Sequence, residues 1–289
     1  MAKIIVNTTF REFAGDKNDK MQIAFLRSLQ RQTMQDFILV VSIFGEQKVA
    51  KTVRTILQEK CVFVYDNEYG KKYQFSLSKT FLNGVDYGLQ HNAEILLDCS
   101  SDIILQKNFL EVMAKYCTSF SAGISHPNIF MQITKNGEKL FYPGKINRGI
   151  DARFFSLDIF KNEHVYGLLK KFPSYDYGAG IEKELCCIAI KYAKKRYNIF
   201  MESRVLKVEN DRDGVTGKVT AFMREGNKRN IPTVIRFMES ENLSSNYIYL
   251  AEINGKYRIT RYVLLYHIFF AKELIQHRLG KLGFVKDYN

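Results

Sequence analysis

The sequence predicts an α/β protein built on a mixed, mostly parallel sheet flanked by helices, and three observations carry that expectation. Short β-favouring apolar runs alternate with segments of helical period through the first third of the chain, the order that βαβ units produce. The chain has 289 residues of which 46% are hydrophobic, enough to bury a sizeable core. Its last part, from about Ile259, has a helical, amphipathic pattern and predicts a C-terminal helical extension.

The elements follow in order. Ile4-Ile5-Val6 reads as a first strand, and Met21 to Gln32 has a helical period. Phe37 to Ile43 is a second strand, Val49 to Glu59 a second helix and Cys61 to Tyr65 a third strand. A helix is expected from about Leu77 to Leu89, followed by the buried-strand run Ala93 to Leu97. Open α/β sheets bind ligands beyond the carboxyl ends of their strands, so Asp98 stands where a ligand is expected. A helix over Phe109 to Tyr116 precedes strands and turns from Ser119 to Lys145, with Asn136-Gly137 as a hairpin tip. Glu182 to Lys195 reads as a helix with a basic last turn that includes Arg196, and Asn210 to Asn230 as a polar loop. The division that results is 1–220 for the α/β domain and 221–289 for the mainly helical extension.

Composition narrows the class of partner. Lys and Arg number 43 against 30 Asp and Glu, a formal net charge of +13, which suits an anionic partner. The basic residues are dispersed and form no aromatic-interleaved platform, which argues against nucleic acid. The 5 cysteines lack CxxC spacing and mostly lie in apolar runs, which fits a reducing cytoplasm. The N-terminal segment reads as a strand rather than a signal peptide, and the apolar run Tyr262 to Phe270, broken by His267, is too short to span a bilayer. Basic Arg261, Lys272, Arg278, Lys281 and Lys286 beside apolar Val263, Ile268 and Phe269 would suit an anionic membrane surface, or the apolar face packs on the α/β domain.

Three blocks occur in order. The first is Ser28-Leu29-Gln30-Arg31-Gln32-Thr33, followed by the strand Phe37 to Val41. The second is Lys79, then Leu82-Asn83-Gly84, then Leu96-Leu97-Asp98, and the third is Gly180-Ile181-Glu182-Lys183-Glu184-Leu185-Cys186. Together they resemble glycosyltransferase family 2, a family with the GT-A (nucleotide-diphospho-sugar transferase-like) fold. The second block keeps the family's usual interval, and the third is similar to its Gly-Glu-Asp-x-Glu-Leu-Cys segment. The sequence departs from the pattern where an Asp-x-Asp motif is usual: Ser100 takes the second carboxylate's place, and Asp102 stands two residues further on. An acidic pair is missing after Ile43, which leaves Asp66 to contact the base. No histidine follows the third block until His267, so Glu209, Asp211 or Asp213 would have to replace the family's downstream ligand.

The resemblance implies an inverting transfer of a sugar from a nucleotide-diphosphate donor, UDP being commonest, to a glycan or lipid-linked acceptor. The setting it implies is bacterial surface polysaccharide synthesis: capsule, O-antigen or lipooligosaccharide. It implies that Asp98 and Asp102 hold Mn or Mg against the leaving diphosphate. Thr8, Arg11, Lys79 and Asn83 join Asp66 and Asp98 as donor-binding candidates, Arg11 and Lys79 as cations for the diphosphate. Glu182 takes the position of the base that removes the acceptor proton, with Asp176 and Glu184 in reserve. Two other readings stand beside this one. A sugar nucleotidyltransferase would need a Gly-rich phosphate loop that Val6-Asn7-Thr8-Thr9-Phe10-Arg11 does not supply, and a non-catalytic GT-A-like binding protein would be compatible with Ser100.

Overall fold

Strand β1 (Ile4–Phe10) is buried on both faces, as expected of a central parallel strand, and its buried residues include the polar Asn7 and Thr8. The structure, a computed structural model, describes residues 3–10, 17–43, 48–65, 77–133, 139–143, 152–171, 192, 196–210, 236–237, 240–241, 250–253 and 256–259. Parallel strands β2 (Phe37–Ile43) and β4 (Ile95–Cys99) flank β1, and β3 (Cys61–Tyr65) lies outside β2. Helices α1 (Lys17–Gln30), α2 (Lys48–Leu57) and α3 (Leu77–Gln90) alternate with these strands, which is the βαβ order expected. On α2 the buried residues Val49, Ala50, Val53, Ile56 and Leu57 recur at helical spacing, and this stripe docks the helix on the sheet.

Beyond β4 the sheet becomes mixed. β5 (Ile103–Leu105), α4 (Phe109–Ser119), β6 (Phe120–Ile133), β7 (Lys139–Pro143), β8 (Ala152–Ser156), α5 (Glu163–Lys171) and β9 (Arg196–Asn210) complete it. The strand order is β3-β2-β1-β4-β8-β6-β9-β5, with β7 paired to β6. β8 runs antiparallel between β4 and β6, while β6 and β9 pair in parallel with two register shifts. The expected hairpin is present in its pairing, Ile129↔Pro143 to Ile133↔Lys139, although Asn136-Gly137 itself lies outside the described residues.

Two apolar clusters sandwich the sheet. One joins Ile5, Leu96 and Phe155 to Phe81 and Val85 of α3 and Leu168 of α5. The other joins Ile4, Val6, Leu97 and Phe154 to Leu26 of α1, Val53 of α2 and Met113 of α4. The alternation of strand side chains between the two faces accounts for the division.

Several sequence expectations change here. Asp98 is the fourth of the five residues of β4, not a residue beyond the strand. Arg196 opens the long strand β9 rather than closing a helix, and most of residues 182–195 lie outside the described set. In the stretch expected to be mainly helical, β10 (Leu250–Ile253) and β11 (Lys256–Ile259) pair antiparallel, so Ile259 ends a strand. The rest of the helical extension and the polar loop from 211 lie outside the described residues. Among the described residues no helix is long and apolar enough to cross a membrane.

Candidate active site

The Ser-Leu-x-x-Gln-Thr block is a structural clamp. Ser28 Oγ donates to the Phe25 carbonyl at 2.7 Å and accepts from the Leu105 N–H at 3.1 Å. Gln32 Nε2 donates to the carbonyls of Ser28 and Gln106, and its Oε1 accepts from the Leu110 N–H at 3.0 Å. The Thr33 N–H donates to the Lys107 carbonyl at 2.7 Å. These bonds tie the end of α1 to the β5–α4 connection. They satisfy buried backbone groups that would otherwise each cost about 1–3 kcal/mol.

The site begins where one sheet face changes character. In register, Ile5, Leu96 and Phe155 form an apolar row across β1, β4 and β8. One step towards the carboxyl ends of β1 and β4, the row on the same face is Asn7, Asp98 and Arg153. All three are buried, Asp98 being 6% and Arg153 7% exposed. Asn7 Nδ2 donates both to Asp98 Oδ1 at 2.7 Å and to the Thr80 carbonyl at 3.1 Å. Arg153 Nη2 donates to Asp98 Oδ2 in a buried ion pair. Both of Asp98's oxygens are therefore engaged. Arg153 Nε and Nη1 are buried and have no hydrogen-bond partner among the described residues.

Helix α3 closes over this row through its glycines. A Cβ on Gly84 would lie 2.6 Å from Asn7 Cγ, and one on Gly88 would lie 2.6 Å from Leu157 Cδ1. At this spacing both glycines share the helix face that meets the sheet. Two residues past the helix, Asn92 adopts φ 51°, and the bonds Asn92 N–H to Leu89 and Ala93 N–H to Gly88 form a Schellman turn that leads directly into β4. Gly84→Ala is expected to cost about 1–3 kcal/mol, because Asn7 is held by two acceptors and α3 must lift instead. Urea unfolding measures this, and an unchanged midpoint would show that Asn7 yields.

The other expected residues fall as follows. Thr8, on the opposite face and 2% exposed, donates from Oγ1 to the Cys99 carbonyl at 2.7 Å, so its hydroxyl proton is committed to β4. Asn83 Nδ2 donates to Ser42 Oγ at 3.1 Å and ties α3 to the end of β2. Lys79 is exposed in the first turn of α3, one turn before Asn83. Asp102 is half-buried in the turn between β4 and β5. Arg11, Asp66, Asp176, Glu182 and Glu184 lie outside the described residues. Asn7 and Arg153 were missed in the sequence, although a single Arg in the run Ala152-Arg153-Phe154-Phe155 is a signal that a buried charge has a partner.

The expected metal pair meets a physical obstacle in this arrangement. A divalent ion on Asp98 would have to share its carboxylate with a guanidinium that stays charged, so two cations would crowd one anion. Ser100 offers a neutral hydroxyl where a second carboxylate would offset that charge. Among the described residues no three His, Cys, Asp or Glu side chains come together to hold a metal.

Parallel strands ending in buried polar groups, with helices on both faces, define an α/β fold; folds of this kind bind ligands beyond the carboxyl ends of their strands, which makes the ends of β1 and β4 the candidate site. Among solved structures, the chain is similar to Staphylococcus aureus TarS 1–349, at 12% identity and a TM-score of 0.54 over 95% of this chain and 71% of that one. The same protein in complex with UDP gives 13% identity and a TM-score of 0.53, with the same coverage. The chain thus has the expected mixed, mostly parallel sheet with flanking helices, a fold shared with TarS 1–349. A protein from Desulfovibrio desulfuricans described as a nucleotide-diphospho-sugar transferase aligns at 11% identity over 81% of this chain and 99% of its own, and its TM-score of 0.39 adds no weight. No protein-family model matches the sequence, and no curated protein matches it.

Proposed function

We propose that the chain is an inverting glycosyltransferase that moves a sugar from a nucleotide-diphosphate donor, UDP-sugar in the first instance, to a glycan or lipid-linked acceptor. The observation that carries this reading is the buried polar row Asn7–Asp98–Arg153 at the strand ends of a fold shared with a protein solved with UDP. Lys79 in the first turn of α3 and Arg11 just after β1 would add positive charge for the diphosphate, and Asp66, following β3, would contact the base. Glu182 would take the acceptor's proton, with Asp176 and Glu184 as the reserve carboxylates. By the family resemblance the reaction would belong to bacterial surface polysaccharide synthesis, at the cytoplasmic face of the membrane, and the basic C-terminal stretch would suit an anionic surface there.

Thermal unfolding with UDP, GDP, CMP and dTDP sugars tests the reading. A donor present at about a hundred times its Kd adds about 2.7 kcal/mol to the native state, a rise in Tm of roughly 5–10 °C for a chain of this size. UDP sugars are expected to give that rise. A flat response to every nucleotide sugar would leave a non-catalytic protein of this fold.

A further inference from the structure

Arg153 stands out among the buried groups because its surroundings leave it incompletely used. Its Nη2 holds Asp98, whereas Nε and Nη1 are buried without an acceptor. The third orphan in this cluster, Asn7 Oδ1, has a different explanation. It lies 2.8 Å from where a Cβ on Gly84 would be, so α3 covers it and no ligand has room there. The amide's orientation is fixed, since its nitrogen faces two acceptors, the Thr80 carbonyl and Asp98. Among the described residues of this cluster the guanidinium is therefore the group that keeps unmet bonding capacity, and its unused groups are donors.

We infer that Arg153 takes the place beside Asp98 that a divalent cation would fill, and that it donates to the phosphate oxygens of a nucleoside diphosphate bound without metal. The inference rests on the proposed glycosyltransferase reading and specifies how its donor is held. A guanidinium is always charged, and its planar set of N–H groups matches phosphate oxygens. Asp98 here orients the guanidinium, while Asn7 orients Asp98 from the other side. Ser100 fits the same scheme, because a site without a divalent ion needs no second carboxylate. The formal net charge of +13 assists the approach of a diphosphate.

Calorimetric titration of the full chain with UDP, once with EDTA and once with Mn, decides the matter. The two dissociation constants are expected to agree within about threefold, whereas Arg153→Lys weakens UDP by about tenfold or more in EDTA while the fold melts cooperatively. Binding at least tenfold tighter with Mn than with EDTA would overturn the inference and leave the glycosyltransferase reading intact. UDP bound equally well by Arg153→Lys and the wild type would also overturn it. Should Arg153→Lys fail to fold, the EDTA and Mn comparison on the wild type still decides. If neither UDP nor any other nucleoside diphosphate binds under either condition, the glycosyltransferase reading itself fails.

Discussion

Arg153→Met is expected to lower the free energy of unfolding by about 3–5 kcal/mol, because it leaves the Asp98 carboxylate buried at 6% exposure without its countercharge. Asn7 alone cannot compensate, since it gives Asp98 a single neutral hydrogen bond. With a domain's total stability of about 5–15 kcal/mol, the variant would be close to unfolding at ambient temperature. The double variant Asp98→Leu/Arg153→Met should recover most of the loss, because it removes both charges and restores an apolar face continuous with Ile5, Leu96 and Phe155. Urea unfolding of the two single variants and the double variant gives the cycle. A loss below about 1 kcal/mol in Arg153→Met would mean that water reaches the pair and that the site is wetter than its burial implies.

The expected recovery bears on function. A dry ion pair with spare donors is a poor way to stabilise a sheet that already has apolar neighbours on the same face. The groups fit the proposed diphosphate site, in which the fold would meet the desolvation cost in advance of the ligand.

The parallel half of the sheet was legible because its signals are local. Phe37–Ile43 and Cys61–Tyr65 appear in the structure with the bounds that their apolar runs suggest, and α3 starts at Leu77 as its period requires. The second resembling block was read from pattern, and its physical reason emerges only in three dimensions: Gly84 is needed because Asn7 occupies the space of its missing side chain. The first block, Ser28 to Thr33, likewise acts in joining α1 to the β5–α4 connection. Strands β8 and β9 were not legible. β8 is only five residues long and contains Arg153, whose partner is distant in sequence, while β9 carries charges at Arg196, Glu202, Arg204, Lys207 and Glu209 that mask its apolar residues. The same separation in sequence concealed the site. Asp98 was found by its position after an apolar run, but its partners Asn7 and Arg153 are brought to it by sheet register, which short-range periodicity does not encode.

Glu182→Gln is expected to reduce kcat about 10²- to 10⁴-fold, the range that loss of a positioned general base produces, with the affinity for UDP unchanged. The amide keeps the size of the side chain and removes the group that accepts the acceptor's proton. The split between turnover and donor affinity is the informative part, because a carboxylate that merely balanced a helix dipole would change stability slightly and turnover little. Asp176→Asn and Glu184→Gln should leave kcat within about tenfold of the wild type if Glu182 is the base. Single-turnover transfer with a saturating UDP-sugar separates the cases. Full activity in Glu182→Gln, with collapse in Asp176→Asn or Glu184→Gln, would move the base to that residue and reset the register of the third block. If turnover survives all three substitutions, proton removal falls to a group outside this segment, and the inverting scheme loses its support from the sequence.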